Sequence, residues 1–156
     1  MRRREIRLTQ EGQQNLAKEL DHLLYVRRRE MADRIRRASE SGGTMDNAEY
    51  EDAKNEQAFL EGRIAELEDI LTNAIVASGE DRPKGGVEFG SSVTVRINEG
   101  ARKIYTIVGS VEANPLEGKI SVESPVGQAL MGHEVGDKVD VETPSGVSQM
   151  TIVRVK

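Results

Sequence analysis

Apolar residues recur along the chain at two different periods, and the change of period divides it. Leu60, Ile64, Leu67, Leu71 and Ala74 are spaced four, three, four and three residues apart, with Ala53 one heptad earlier. That rhythm is the seam of a helix packed lengthwise on another helix. Leu16, Leu20 and Leu24, then Met31, Ile35 and Ala38, form a looser stripe of the same kind. Thr9, just ahead of Glu11 and Gly12, supplies an N-cap for the first helix. No proline precedes Pro83. Two unbroken helices of roughly 30 residues each are therefore predicted, an αα-hairpin about 45 Å long at ~1.5 Å per residue.

Between Ala77 and Gly86 the sequence ASGEDRPKGG has no helical period and reads as a linker, residues 77–86. Beyond it the period becomes two. Val93, Val95 and Ile97 alternate with Thr94 and Arg96, and Ile104, Thr106 and Val108 alternate likewise. Ile120 and Val122, Val139 and Val141, then Ile152 and Val155 follow, separated by the turn sequences NEG, NPLEG, VGD and PSG. These are strands, and residues 126–134 have room for one short helix. The predicted architecture is an N-terminal antiparallel α-helical coiled-coil hairpin over residues 1–76, with its tip at 42–47, and an α+β domain over 87–156.

Composition narrows the chemistry. With no cysteine, disulfides and thiolate metal sites are excluded, and with 3% aromatics no thick aromatic core can form. No apolar run approaches the ~20 residues that cross a bilayer, and MRRREIRLTQ lacks a signal-peptide core, so a cytoplasmic protein with no membrane partner is expected. The net charge of −5 is unevenly spread. Residues 1–41 hold 11 basic and 7 acidic side chains, whereas residues 42–80 hold 2 and 10. A basic arm lying antiparallel to an acidic arm favours the hairpin, although exposed pairs are worth only ~0.2–1 kcal/mol each. Neither His22 nor His133 has a second ligand at metal spacing, so both read as ordinary histidines.

The sign of the charge flips in SESGGTMDNAEYEDAKNEQ, residues 39–57. Gly42 suits the left-handed residue that ends a helix, and Asp46 with Glu49 three residues on forms a capping box for the next. Asn47 adds turn capacity, and Tyr50 is expected to pack near the tip. On these grounds alone the turn needs no chemical role.

DNAEYEDAKNEQAFLEGRI at 46–64 nevertheless resembles the Gre family of bacterial transcript-cleavage elongation factors. So do LTQEG, VRRRE, EFGSSVTV, SPVGQALMGHEVGD and TPSG, in order along nearly the whole chain. The resemblance implies an FKBP-like C-terminal domain and a coiled coil that enters the secondary channel of RNA polymerase. There the tip carboxylates would help the polymerase hold Mg²⁺ and a water beside backtracked nascent RNA. The factor itself would be an accessory protein, not an enzyme, with no metal of its own when free. A hard cation held through one or two carboxylates suits phosphodiester hydrolysis.

Laid on the family pattern, Gly42 matches a glycine, Asp46 stands for a glutamate, and Asn47, Ala48, Glu49 and Tyr50 match outright. Gly43 occupies the place of the family's tip aspartate, which leaves Asp46 as the single catalytic carboxylate. Lys54 matches a basic position that grips RNA. Ser39 stands where a basic residue is common, and Arg34, Arg36 and Arg37 lie nearby; pairing of these arginines with the acidic helix is an equally good reading. Glu123, Ser124 and Pro125 match the loop that docks on polymerase, although Ser-Pro alone means only a turn. The expectation is a monomeric factor that stimulates cleavage of backtracked RNA. A non-cleaving regulator occupying the same channel is the alternative, motivated by Gly43, and a coiled-coil adaptor without polymerase contact is a third. Prolyl isomerase activity is not expected, because the aromatics needed to line a proline pocket are missing.

Overall fold

The computed structural model describes residues 5–41, 48–77 and 86–156. The chain divides into two compact units, one formed by Gln13–Asn73 and the other by Met1–Gly12 with Ala74–Lys156.

The first unit is the hairpin. Its first arm comprises α1 (Gln10–His22), a π turn (Leu23–Arg27) and α2 (Arg28–Ser41), and its second arm is α3 (Ala48–Asn73). The arms run antiparallel, because cross-arm partners fall along the second arm as they rise along the first: Glu19 with Arg63, Arg28 with Glu61, and Arg34 with Glu56. Met31, Leu60 and Ile64 form the core, packed about by Leu20, Leu23, Leu24 and Ile35. The first arm is thus helical but not the unbroken α-helix expected from the absence of proline. Leu16, Leu20 and Leu24 repeat every four residues, and at 3.6 residues per turn each step drifts about 40° around the helix. The wider π turn, marked by an Arg28 N–H bond to the Leu23 carbonyl, rephases the stripe so that Met31 and Ile35 return to the seam. In α3 the seam ends on Ile70, which is buried, whereas Leu71 is only half-buried.

The second unit is built on a five-stranded sheet in the order β5-β4-β3-β7-β6. The strands are β3 (Ser92–Ile97), β4 (Arg102–Val108), β5 (Lys119–Ser121), β6 (Lys138–Thr143) and β7 (Gly146–Val155), with a short helix α4 (Pro125–Leu130) before β6. Within this sheet only β4 and β5 pair in parallel. Val93, Val95, Ile107, Leu130, Val141 and Ile152 are central to its core. In β4 the core side is Tyr105 and Ile107, so the Ile104–Thr106–Val108 series faces away from it, with Ile104 65% exposed. Val155 lies three residues after Ile152, which breaks strict alternation. A bulge opposite Thr94 and Val95 absorbs the extra residue and returns Val155 to the core side. The β3–β4 hairpin turns through Asn98 and Glu99, both at positive φ (48° and 59°), a turn in which asparagine is well tolerated.

Two further strands close this unit. β1 (Arg7–Leu8) pairs in parallel with β2 (Ile75–Val76), so both ends of the segment expected to form the hairpin pack with the C-terminal residues. Gly109 is required beside them, since a Cβ there would stand 1.9 Å from the Arg7 carbonyl oxygen.

Candidate functional site

At the free end of the hairpin, Gly42, Gly43, Asp46 and Asn47 lie outside the described residues. The flanking residues are placed. Ala38 and Ala53, at the same level by the Arg34–Glu56 register, are buried, and their small side chains suit a close approach of the arms. Glu49 is exposed in the first turn of α3 and Tyr50 is half-buried. Arg34 reaches across to Glu56 at 2.5 Å, and this bond, with Glu49 and Asp52 nearby, raises the guanidinium above its ordinary range. Arg34 therefore pairs with the acidic arm, as one reading of the sequence has it.

Arg36 and Arg37 do not. Arg36 stands 3.6 Å from Asp33 on its own helix, and Arg37 donates to the Asp33 carbonyl at 3.4 Å. Both remain exposed, as does Lys54, for which there is no ion pair among the described residues. The index sum of 90 set by Arg34 and Glu56 puts Arg36 level with Lys54. Measured from the buried alanines at about 100° per residue, Arg37 shares the flank of Arg34 and Glu56 while Lys54 lies on the opposite one. The three cations thus ring the hairpin below its tip. Such a collar can meet a phosphate chain from more than one side.

Lower on the shaft, Arg28 grips Glu61 through two bonds of 2.9 and 2.8 Å, which raises the arginine and lowers the glutamate pKa. Arg63 grips Glu19 through bonds of 2.8 and 3.0 Å, with the polarity of the arms reversed, and this pairing raises the guanidinium. Paired in this way, these groups fix the register of the arms. The cations nearer the tip that make no ion pair across the arms among the described residues, Arg36, Arg37 and Lys54, are those left for a ligand.

In the second unit Glu123, Ser124 and Pro125 form one short corner. Ser124 is the N-cap of α4: its Oγ accepts from the Gly127 N–H at 3.1 Å and donates to the Ser121 carbonyl at 2.6 Å. Pro125 occupies the first helical position, where its missing N–H costs nothing. The serine is structural, whereas Glu123 and Pro125 are exposed. Glu123, which accepts from the Ser110 hydroxyl at 3.0 Å, borders a cleft of about 370 Å³ that Arg7, Val111 and Gln128 also line.

One contact had no local signal in the sequence. Glu112, 103 residues from Thr9, accepts from the Thr9 N–H and hydroxyl and from the Gly109 N–H, while Thr9 Oγ1 accepts from Gly12 N–H as the expected N-cap. Gly12 leaves room for that carboxylate, since a Cβ there would lie 1.8 Å from Glu112 Oε1. His133 is 3.3 Å from Asp137, and the Asp137 carboxyl is lowered chiefly by the Glu134 N–H it accepts. Among the described residues no group of three His, Asp or Glu is placed to hold a metal.

Residues 6–76 match the family model described as transcription elongation factor, N-terminal, and residues 82–156 the model described as transcription elongation factor, GreA/GreB, C-term. The transcription elongation factor GreA of Chloroflexus aggregans is 50% identical over 150 residues, covering 96% of each chain. That of Bacillus cereus (strain ATCC 14579) is 45% identical over 150 residues, covering 96% of this chain and 95% of its own. Among solved structures, GreA factor homolog 1 (Gfh1) of Thermus thermophilus is 35% identical at a TM-score of 0.45, covering 98% of this chain and 99% of its own. With both halves matched and curated relatives identical at up to half of the aligned positions, the chain belongs to the GreA/GreB family of transcription elongation factors.

Proposed function

We propose that the hairpin is inserted into the secondary channel of bacterial RNA polymerase and that the protein acts there as an accessory factor, stimulating the polymerase's own hydrolysis of backtracked nascent RNA. The observation that carries this reading is the identity of 50% and 45% to two GreA proteins over nearly the whole chain. The hairpin supports it. A paired antiparallel shaft is slender enough for a pore, and Arg36, Arg37 and Lys54 stand exposed below the tip, where an RNA 3′ segment would lie. Asp46 would supply one carboxylate to a Mg²⁺ otherwise held by the polymerase, which polarises the scissile phosphate and activates water. Glu123 and Pro125, exposed at the α4 corner, would make the docking contact. The factor acts as a monomer in the cytoplasm on this reading, because the apolar seam is satisfied between its own two arms.

Gly43 favours a second reading, a regulator that occupies the channel without promoting cleavage. Stalled elongation complexes supplied with Mg²⁺ and either wild type or Gly43→Asp separate the two. Release of short 3′ fragments by wild type supports the first reading. Polymerase binding without fragments, with cleavage gained in Gly43→Asp, supports the second. No binding to polymerase by either protein defeats both.

A further inference from the structure

The side of the C-terminal sheet opposite its core has a charge pattern that the elongation-factor reading does not use. Strand register lines up Arg102 on β4, Arg96 on β3, Thr151 on β7 and Lys138 on β6 in one transverse row. At ~4.8 Å between strands the row spans about 14 Å. One step along, Thr94 pairs with Arg154. Alternation places all six side chains away from buried Val93, Val95, Val139 and Ile152. Arg102, Lys138 and Arg154 are exposed and Arg96 half-exposed. None of these four cations makes an ion pair among the described residues, and the acids of this face, Asp140 and Glu142, lie beyond the row along β6.

The juxtaposition is costly to the fold. Arg96 and Arg102 are directly opposed across two strands, and like charges in that position destabilise a sheet. Four cations with no ion pair among the described residues share this one face in a chain whose net charge is −5. We propose that this face binds the sugar–phosphate backbone of duplex DNA without regard to sequence. The complementarity is that of guanidinium, ammonium and hydroxyl donors to phosphate oxygens. No strand residue of this face is aromatic, so the cationic row lacks both the stacking platform of single-strand binders and the aromatic content of a protein–protein interface core. Contacts of this kind release counterions, so four phosphate contacts give a log–log salt slope of about −3.6, with dissociation constants in the ~10⁻⁴–10⁻⁶ M range.

The test needs no polymerase, so its outcome is independent of the elongation-factor reading. Full-length protein is titrated onto a labelled random-sequence duplex between about 50 and 200 mM salt, with R96Q/R102Q, K138Q/R154Q and, as a charge control at exposed positions of the hairpin, K18Q/R29Q. Each sheet variant is expected to weaken binding and make the slope shallower by about 1.8, whereas K18Q/R29Q keeps the wild-type slope. Removing the opposed arginines should leave the melting temperature of R96Q/R102Q at or above wild type, so that lost binding is not lost folding. The proposal is overturned if neither sheet variant changes the slope, or if the hairpin variant alone abolishes binding. It is likewise overturned if single-stranded DNA binds as tightly as duplex, or if an acidic polypeptide competes as well as DNA.

Discussion

At the scale of single residues, Glu112 holds more of the second unit together than any other polar side chain described above. It accepts from two backbone N–H groups and one hydroxyl contributed by segments about a hundred residues apart. Removing its charge weakens three charge-assisted bonds at once, and Glu112→Ala leaves those donors without their acceptor. A loss of ~2–4 kcal/mol in urea unfolding is expected, more than for Glu112→Gln. Gly109→Ala should cost at least as much, because the Arg7 carbonyl that a Cβ meets at 1.9 Å is backbone and cannot swing aside. Asp137 provides a pH signature. Its carboxyl is held below the ordinary 3.8 by the Glu134 N–H and by His133. A depressed carboxyl stabilises the fold above its unfolded value, and that contribution is lost as pH falls through the lower folded value. Melting temperature measured from neutral pH down past 3.8 should therefore drop less in Asp137→Asn than in wild type. Thr9 and its capping role are legible from sequence because the N-cap is local. Glu112 is not, since no pattern within a window reveals a partner 103 residues away.

At the scale of elements, periodicity carries most of the information, and the two places where it misleads have one cause. The four-residue spacing of Leu16, Leu20 and Leu24, and the three-residue step from Ile152 to Val155, are each a phase error in a regular element. The fold absorbs the first with a π turn and the second with a bulge. Both are one-residue insertions relative to the ideal repeat, so the sequence shows that something must give without showing where. Deletion analysis tests this directly. Removing Tyr25, which is 71% exposed within the π turn, takes out the inserted residue and lets a plain α-helix keep the downstream stripe in phase. Its unfolding midpoint should stay near wild type, within ~1 kcal/mol of stability, the range of exposed changes. Deleting exposed Ala58 from α3 rotates one side of that stripe by about 100° relative to the other, separating Ala53 from Leu60 and Ile64. Thermal melting followed by circular dichroism should then show loss of the cooperative hairpin transition. Equal effects of the two deletions would mean that the π turn is not a phase correction.

At the scale of the whole molecule, the two kinds of site proposed above are carried by two compact units, and that division predicts which kinetic quantity each variant moves. The collar of Arg36, Arg37 and Lys54 belongs to the hairpin, and the exposed Glu123 and Pro125 to the second unit. Family likeness made these positions legible in the sequence. Structure adds that Ser124 is occupied as an N-cap and that Arg34 is occupied by Glu56, which leaves Glu123, Arg36, Arg37 and Lys54 as informative targets. Glu123→Lys should raise the factor concentration needed for half-maximal effect on stalled polymerase by about tenfold, equivalent to ~1.4 kcal/mol, and leave the saturating rate unchanged. Ser124→Ala would confound the same measurement, since loss of an N-cap costs ~0.5–2 kcal/mol of stability. Lys54→Gln and R36Q/R37Q should do the reverse, lowering the saturating cleavage rate while polymerase affinity holds. A group that grips RNA only beside the reacting phosphate contributes to the transition state more than to docking. If both classes of variant shifted half-saturation alone, the collar would be part of the docking surface, and cleavage would depend on the tip carboxylate without help from the cations below it.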